Sequence, residues 1–256
     1  MPSNRATSQR KSTPQQRKST PAVSPGIVLI GTPISHYVQT LILVCEEKGI
    51  PYRLQVDGHD TPAALDSDAH RRWHPFGKIP ALQHGAIRLY ETSAIGRYLD
   101  LAFAGPALVP AEPLAAARME QWISSVNSYF HGPCISQLVG QYVFPRGPGG
   151  EPDRAVIDAA ETPVRRALRT LDSACAAGPY LAGDHLSLAD LFVLPLLLQL
   201  QRTPEGRAWL ADCDAIARYL QPLAARRSLV TAMAQLERHL PAGHRLGAGN
   251  PPPTRD

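Results

Sequence analysis

The stretch Trp73-His-Pro-Phe-Gly-Lys-Ile-Pro-Ala-Leu82 lies between a charged, loop-like region and a predicted strand. Gly77 permits a turn, and residues 79–82 predict the start of the strand. Pro80 has no N–H to donate to a sheet, so it is either an ordinary turn residue or part of a cis peptide bond held by the fold. In the cis form, the N–H and C=O of Ile79 would lack strand partners and could pair with a peptide-like ligand.

The residues before this stretch predict a strand–helix–strand unit. Residues 26–30 form an aliphatic run and residues 51–56 a second one, and both predict strands. Between them, residues 36–48 place apolar side chains on one helical face, with Ser35 at the N-cap and Gly49 just beyond the last turn. The two strands of such a unit are expected to be parallel.

The residues after the stretch predict a β-hairpin and a helix. Gly85 occupies the turn, residues 87–90 predict the fourth strand, and Glu91 opens a helix that continues through Leu99. Residues 57–72 are charged and predict mostly irregular structure with one helical turn. The first domain is therefore expected to have the order βαβ-ββα.

The second half of the chain predicts an all-helical domain. Apolar residues recur at helical spacing over 114–142, 153–176, 187–200, 206–221 and 225–239. Ser187 followed by Asp190 is a variant of the capping box. The predicted divisions are a tail at 1–25, an α/β domain at 26–104, a linker at 105–113, an all-α domain at 114–240 and a second tail at 241–256.

Composition excludes several classes of function. The net charge of +4 comes from residues 1–25, which hold five basic and no acidic residues and twice contain Arg-Lys-Ser-Thr-Pro. The remainder is close to neutral, so no nucleic-acid partner is expected. No apolar run is long enough to span a membrane, and the start shows no secretory signal. The four cysteines are far apart, which predicts free thiols in a cytoplasmic protein without a metal site.

Three motifs in order resemble the cytosolic glutathione transferase family. They are His-Pro-Phe-Gly-Lys-Ile-Pro-Ala-Leu at 74–82, Glu-Thr-Ser-Ala-Ile at 91–95 and Leu-Ala-Gly-Asp-His-Leu-Ser-Leu-Ala-Asp at 181–190. The resemblance covers roughly 26–236, and within the family it is strongest to the phi class and similar bacterial serine-type members. It implies a thioredoxin-like N-terminal domain that binds glutathione, and a helical domain that supplies the pocket for an electrophile.

The resemblance also implies where glutathione binds. The family's cis-proline falls on Pro80, and the backbone of Ile79 would pair with the cysteinyl part of the tripeptide. Glu91 would face the γ-glutamyl ammonium and Thr92 would donate to its carboxylate, although the family more often has serine at the second position. Lys78 would reach the glycyl carboxylate. Glutathione would be a co-substrate, with no bound cofactor and no metal.

Glutathione reacts as its thiolate, so the protein must lower the thiol pKa. Ser35 aligns with the catalytic serine of phi- and theta-like enzymes, and it would act as a hydrogen-bond donor to the sulfur. The alternative for Ser35 is simple N-capping. Tyr37, which has a phenolic donor close by, is the second candidate for activation. His36 is expected to be an exposed residue of the first helical turn.

The electrophile is expected between the first helix and the helix near 115–142. Tyr129 and Phe130 are candidates to line its pocket, whereas Trp122 is expected to pack in the core. The resemblance implies a transferase active in detoxification and a homodimer, to which the hairpin tip and the face around Arg97 would contribute. Two alternatives stay open: a glutathione-dependent peroxidase or dehalogenase, and a non-catalytic binding protein on the same fold.

Overall fold

The computed structural model describes residues 26–240, and the predictions for the tails at 1–25 and 241–256 lie outside them. The strands are β1 (Ile27–Ile30), β2 (Tyr52–Gln55), β3 (Ala81–His84) and β4 (Ile87–Tyr90). The helices packed with this sheet or joined to it are α1 (His36–Lys48), α2 (Pro62–Leu65), α3 (Asp68–Arg71) and α4 (Thr92–Ala102). The helices of the second half are α5 (Pro113–Ser125), a π-helical segment (Val126–Val139), α6 (Gly140–Val143), α7 (Arg154–Cys175), α8 (Leu188–Gln201), α9 (Pro204–Leu210), α10 (Asp214–Ala224) and α11 (Arg227–His239).

The four strands form one mixed sheet in the order β2-β1-β3-β4. β1 and β2 are parallel, as predicted for a βαβ unit, and β3 is antiparallel to both β1 and β4. The predicted start of the third strand is wrong by two residues: β3 begins at Ala81 rather than Ile79. The reason is Pro80, which has no N–H for the sheet. The thioredoxin-like first domain followed by a helical half is confirmed.

Two other predicted segments differ from the structure. Residues 57–72 contain two short helices, α2 and α3, instead of one turn. The helix predicted over 206–221 is in fact α9 and α10. The division is stabilised by a tertiary contact, because Asp172 on α7 accepts a hydrogen bond from the N–H of Ile216 in the first turn of α10 (2.9 Å). The contact joins residues 44 positions apart, so the local pattern of apolar residues could not predict it.

The helix predicted over 114–142 is continuous but not uniform. α5, the π-helical segment and α6 follow one another without a break. The π-helical segment contains Pro133, which has no N–H and therefore cannot donate the backbone hydrogen bond of its turn. Its wider winding changes which side chains share a face, so a pattern of 3.6 residues per turn does not predict its surface.

Helix α8 is buried at the centre of the molecule and packs against α1. It begins with the predicted capping box: the carboxylate of Asp190 accepts from the N–H and the hydroxyl of Ser187 (2.8 and 2.9 Å). The same carboxylate accepts from the hydroxyl of Tyr219 (2.9 Å) and the N–H of Leu181 (2.9 Å). This group therefore connects α8, α10 and the loop before α8.

A buried ion pair attaches the connection between the two halves to the first domain. The ammonium of Lys48 lies 2.9 Å from the carboxylate of Asp100. Asp100 also accepts from the N–H groups of Leu108 and Val109 (2.9 and 3.1 Å), and Lys48 donates to the carbonyl of Pro106 (3.0 Å). Each charge is therefore satisfied by hydrogen bonds. Within 26–240, no helix has the length and apolar character needed to cross a membrane.

Candidate active site

The strand register brings three loops to one edge of the sheet. Ala81 pairs with Ile30 of β1 on one side and with Tyr90 of β4 on the other. The loop that follows Ile30, the residues that precede Ala81 and the residues that follow Tyr90 are therefore neighbours. The first loop leads to Ser35, the second contains Lys78, Ile79 and Pro80, and the third is Glu91–Thr92. The sequence predicted these residues as one site, and the sheet places their loops side by side.

Ser35 is at the N-cap position of α1, but its side chain makes no capping hydrogen bond. Three other hydroxyl residues at N-caps in the described chain do cap their helices. Thr61, Ser67 and Thr203 each accept from the N–H three residues later, at 3.1, 3.2 and 3.0 Å. Because Ser35 is only partly buried and its hydroxyl is not used as a cap, this hydroxyl is available to a ligand.

The Ile79–Pro80 peptide bond is cis, as the resemblance implied. The neighbouring loop comes very close to it. Gly31 has φ 138°, and a Cβ placed there would lie 2.9 Å from the Cβ of Ile79 and 2.9 Å from Cγ2 of Val38. Only glycine fits this combination of backbone conformation and space. The loop leading to Ser35 is thus pressed against the cis-proline loop.

Glu91 has an unusual backbone conformation, with φ 70° and ψ 115°. It is the one non-glycine residue with positive φ in the described chain. Such a conformation costs on the order of 1–3 kcal/mol and occurs mainly at functional sites. Glu91 is exposed, whereas Thr92, the first residue of α4, is buried. The strained backbone by itself marks Glu91 as a candidate functional residue, without reference to any family.

A chain of buried side chains holds the backbone of Lys78, whose own side chain is exposed. His70 Nε2 lies 2.8 Å from the Lys78 carbonyl, which only accepts, so this nitrogen must donate. With one proton on each ring, His70 Nδ1 then accepts from His59 Nδ1 (2.7 Å), and His59 Nε2 accepts from Gln55 (3.3 Å). Burial, followed by the effect of His70, lowers the pKa of His59, which favours this neutral arrangement.

Tyr37 is directed toward the helical half of the molecule. Its hydroxyl donates to Oδ1 of Asn127 in the π-helical segment (2.8 Å). Burial and the nearby carboxylate of Glu91 raise the pKa of Tyr37 to about 12. The phenol is therefore protonated at neutral pH, and its proton is already engaged.

Two histidines stack beside Tyr37. The rings of His36 and His131 lie 5.0 Å apart and nearly parallel, and His131 is 5.1 Å from the ring of Tyr37. The expectation of an exposed His36 is wrong: its side chain is 1% exposed and its Nε2 has no hydrogen-bond partner. Burial and His131 hold its pKa well below the usual range. Burial and the charge of Lys78 lower the pKa of His131 as well.

These electrostatic effects connect the two halves of the site. Glu91 on the sheet edge acts on Tyr37, and Lys78 acts on His131 of the π-helical segment. The sheet edge and the π-helical segment therefore border the same region. Asn127 and His131 are residues that the sequence analysis missed. Their one signal was two polar side chains four residues apart, a spacing that places them on one face of a helix.

Tyr129 and Phe130, the two aromatic residues predicted to line the electrophile pocket, lie in different environments. Tyr129 is 71% exposed, whereas Phe130 is buried and its ring lies 6.2 Å from that of Trp122. Phe130 is consequently a core residue, and its assignment to the pocket is corrected. Trp122 packs in the core as predicted. Adjacent positions of one helix point in different directions, which explains why only one of the pair is open to solvent.

A cleft of about 640 Å³ lies at the other end of α1, between β2 and α11. Its lining includes Cys45, Tyr52 and Gln235. α1 has 13 residues, so at about 1.5 Å per residue its two ends are roughly 20 Å apart. The cleft is therefore separate from the region around Ser35.

The thioredoxin-like sheet with its cis-proline loop, followed by a helical half, defines the fold class of the protein. Comparison with known proteins identifies the family. Residues 34–102 match the model described as "Glutathione S-transferase, N-terminal domain", and residues 154–221 match "Glutathione S-transferase, C-terminal domain". The chain belongs to the glutathione S-transferase family, and the predicted enzyme class is confirmed.

Individual relatives agree with this assignment. The chain is 35% identical to glutathione S-transferase 3 of Zea mays over 169 residues, which is 63% of this chain and 72% of the relative. It is 31% identical to glutathione S-transferase 4 of Zea mays over 209 residues, 79% of this chain and 90% of the relative. Among solved structures, glutathione S-transferase I from mais in complex with an atrazine glutathione conjugate superposes with a TM-score of 0.73. It is 26% identical and covers 84% of this chain and 99% of that one.

Proposed function

We propose that this chain transfers the thiolate of glutathione to small hydrophobic electrophiles, with Ser35 as the activating donor. The observation that carries the proposal is the meeting of three loops at one sheet edge: an uncapped serine, a cis-proline and a positive-φ glutamate. We assign glutathione binding to residues 26–104 and electrophile binding to residues 114–240.

The proposed pose of glutathione follows from the chemistry of the edge. The carboxylate of Glu91 faces the γ-glutamyl ammonium, and the hydroxyl of Thr92 donates to the γ-glutamyl carboxylate. The backbone of Ile79 pairs with the cysteinyl residue, because the cis bond at Pro80 leaves it outside β3. The exposed ammonium of Lys78 pairs with the glycyl carboxylate. The ammonium and the glycyl carboxylate thus each have a partner of opposite charge, and the γ-glutamyl carboxylate has a hydroxyl donor.

Ser35 can account for the required change in thiol pKa. An unperturbed thiol has a pKa of about 8.5, and lowering it by about two units requires about 2.7 kcal/mol in favour of the anion. A hydrogen bond to a charged group contributes about 1.5–3 kcal/mol. The N-terminus of α1 adds about 0.3–1 kcal/mol for a nearby anion. Because Ser35 is the N-cap of α1, a sulfur that accepts from its hydroxyl would be subject to both effects.

Tyr37 is the weaker candidate for activation. Its hydroxyl already donates to Asn127, so it would have to exchange that partner for the sulfur. Its raised pKa also makes it a poorer donor than an ordinary phenol. We therefore assign Tyr37 to the wall of the electrophile pocket, with Asn127, His131 and the exposed Tyr129.

A homodimer in the cytoplasm, active in detoxification, completes the proposal. Phe76 is 68% exposed and lies beside the partly exposed ring of Tyr90, so this loop presents an apolar surface that a second copy would cover. The neighbouring face contains Arg97, which pairs with Glu120 of α5. Light scattering of wild type and Phe76→Ser tests this part: a dimer is expected for wild type and a weakened dimer for the variant.

Steady-state assays with an activated aryl chloride and glutathione test the main proposal. Wild type is expected to catalyse the conjugation, and Ser35→Ala is expected to lose about 100-fold in kcat/KM, corresponding to about 2.7 kcal/mol of stabilisation. Ser93→Ala, which removes a hydroxyl one position after Thr92, serves as the matched control. Binding of glutathione without any conjugation would replace the proposal with a binding role.

A further inference from the structure

The segment that leads to Ser35 is held by two buried glutamines. Nε2 of Gln39, on α1, donates to the carbonyl of Pro33 at 2.7 Å. Nε2 of Gln199, on α8, donates to the carbonyl of Ile34 at 2.9 Å. These are the two peptide carbonyls immediately before Ser35. Gln199 reaches this segment from a helix 165 positions further along the chain.

Gln199 is a polar residue in an otherwise apolar part of α8. From Leu191 to Leu200 it is the one polar residue, in a helix that is buried on nearly all sides. Gln199 itself is 5% exposed. Burying an amide is costly unless it forms hydrogen bonds, and a leucine would fit the apolar surroundings better. The amide at this position therefore has a role that packing alone does not explain.

A second contact fixes α8 against α1. Pro195 has no N–H, so the carbonyl of Leu191, four residues earlier, lacks its usual helical donor. The hydroxyl of Thr40 on α1 lies 3.1 Å from this carbonyl and from its own helix's His36 carbonyl. Thr40 and Gln199 thus connect the start of α1 to α8 at two places, about two helical turns apart on α8.

We propose that Gln199, together with Gln39, is a positioning residue that holds the Pro33–Ile34 segment so that the Ser35 hydroxyl points to the thiol rather than to the helix N-terminus. The inference rests on the proposed role of Ser35 and extends it to the helical domain. Without the two amide donors, the segment can rotate, and Ser35 can adopt the capping bond that Thr61, Ser67 and Thr203 make. The helical domain then contributes to thiol activation without contacting glutathione.

The test is an ultraviolet difference titration of glutathione bound to Gln199→Met, which keeps the side-chain length but removes the donor. The thiol pKa is expected to rise by about half to one unit, because one indirect hydrogen bond is lost. The KM for glutathione is expected to stay within about twofold, since the residues that bind the tripeptide are unchanged. Gln201→Met is the matched control, because Gln201 is on the same helix and is more exposed than Gln199.

The outcomes separate this inference from the proposed function. A folded Gln199→Met protein with the wild-type thiol pKa overturns it. If Gln199→Met does not fold, Gln39→Met tests the same segment from α1, and an unchanged thiol pKa there also overturns it. If Ser35→Ala raises the thiol pKa and the glutamine variants do not, only the positioning role fails. If the wild-type thiol pKa is not lowered, the proposed function fails, and the positioning role fails with it.

Discussion

The two halves of the candidate site are built in different ways. The glutathione half is made by the backbone: a cis peptide bond at Pro80, a positive φ at Glu91 and a glycine at 31 that permits close approach. The electrophile half is made by side chains on helices: His36 stacks on His131, and Tyr37 is hydrogen-bonded to Asn127. A site made by the backbone tolerates few substitutions, whereas a site made by side chains can change its specificity while the fold is kept.

The largest expected effect is the difference between substituting a glycine in the glutathione half and substituting a glycine in the electrophile half. Gly31→Ala would place a Cβ 2.9 Å from Ile79 at φ 138°, and we expect it to lose about 2–4 kcal/mol of unfolding free energy and its glutathione binding. Gly132→Ala, in the π-helical segment, has no atom within 4 Å of the new Cβ. It should be neutral or stabilising by up to about 1 kcal/mol. Denaturant unfolding and glutathione titration measure both, and equal effects would contradict the comparison.

Substitutions of Glu91 separate stability from binding. Glu91→Gly relieves the positive φ and is expected to raise the free energy of unfolding by about 1 kcal/mol. Loss of the carboxylate should nevertheless raise the KM for glutathione about 30-fold or more, since an ion pair with a bound charge is removed. Glu91→Ala should lose the same affinity without the gain in stability. A variant that is more stable and binds normally would show that the strained glutamate has no part in recognition.

A smaller effect is expected in the electrophile half. His131→Ala removes the ring that stacks on His36 and lies 5.1 Å from the ring of Tyr37. The KM for an aromatic electrophile should rise about tenfold, as expected for one lost aromatic contact, while the KM for glutathione changes less than about twofold. His131→Phe keeps a ring and should restore most of the affinity. If His131→Ala changes the KM for glutathione instead, the two halves are not independent.

The smallest effect concerns the pH dependence of stability. His36 is buried with a depressed pKa, so below the usual histidine pKa the unfolded chain binds a proton that the folded chain does not. The contribution of His36 to stability is therefore complete above about pH 6.5 and falls as the pH decreases, with a loss of about 1 kcal/mol from this residue between pH 6.5 and 5.5. His36→Phe should lack this part of the loss, whereas His185→Phe, at an exposed position, should retain it. Parallel pH profiles for wild type and His36→Phe would refute the assignment.

The glutathione half could be predicted because its determinants are local in sequence. The order of strands and helices, Ser35 at a helix start and Gly49 at a helix end all follow from short patterns, and the structure agrees with them. The cis bond at Pro80 was different, since local sequence left it open and the resemblance decided it. The start of β3 was missed because the proline removes two residues from the strand.

The electrophile half could not be predicted because it depends on tertiary packing. His36 was expected on the surface, but it is buried and its ring stacks on that of His131 in the π-helical segment. Phe130 was expected in the pocket, but the irregular helix turns it into the core. The same limit applies to the segment before Ser35, because Gln199 contacts it from 165 positions away and no periodic pattern indicates such a pair. In each case, a distant segment determines what the side chain contacts.

The most direct test of the central claim is the ultraviolet difference titration of glutathione bound to wild type and to Ser35→Ala. We predict that the bound thiol ionises about two units below its free pKa of about 8.5 in wild type and returns toward that value in the variant. A bound thiol with an unshifted pKa in wild type would contradict the proposed activation. A shift that survives in Ser35→Ala would assign activation to another donor, with Tyr37 as the next residue to substitute.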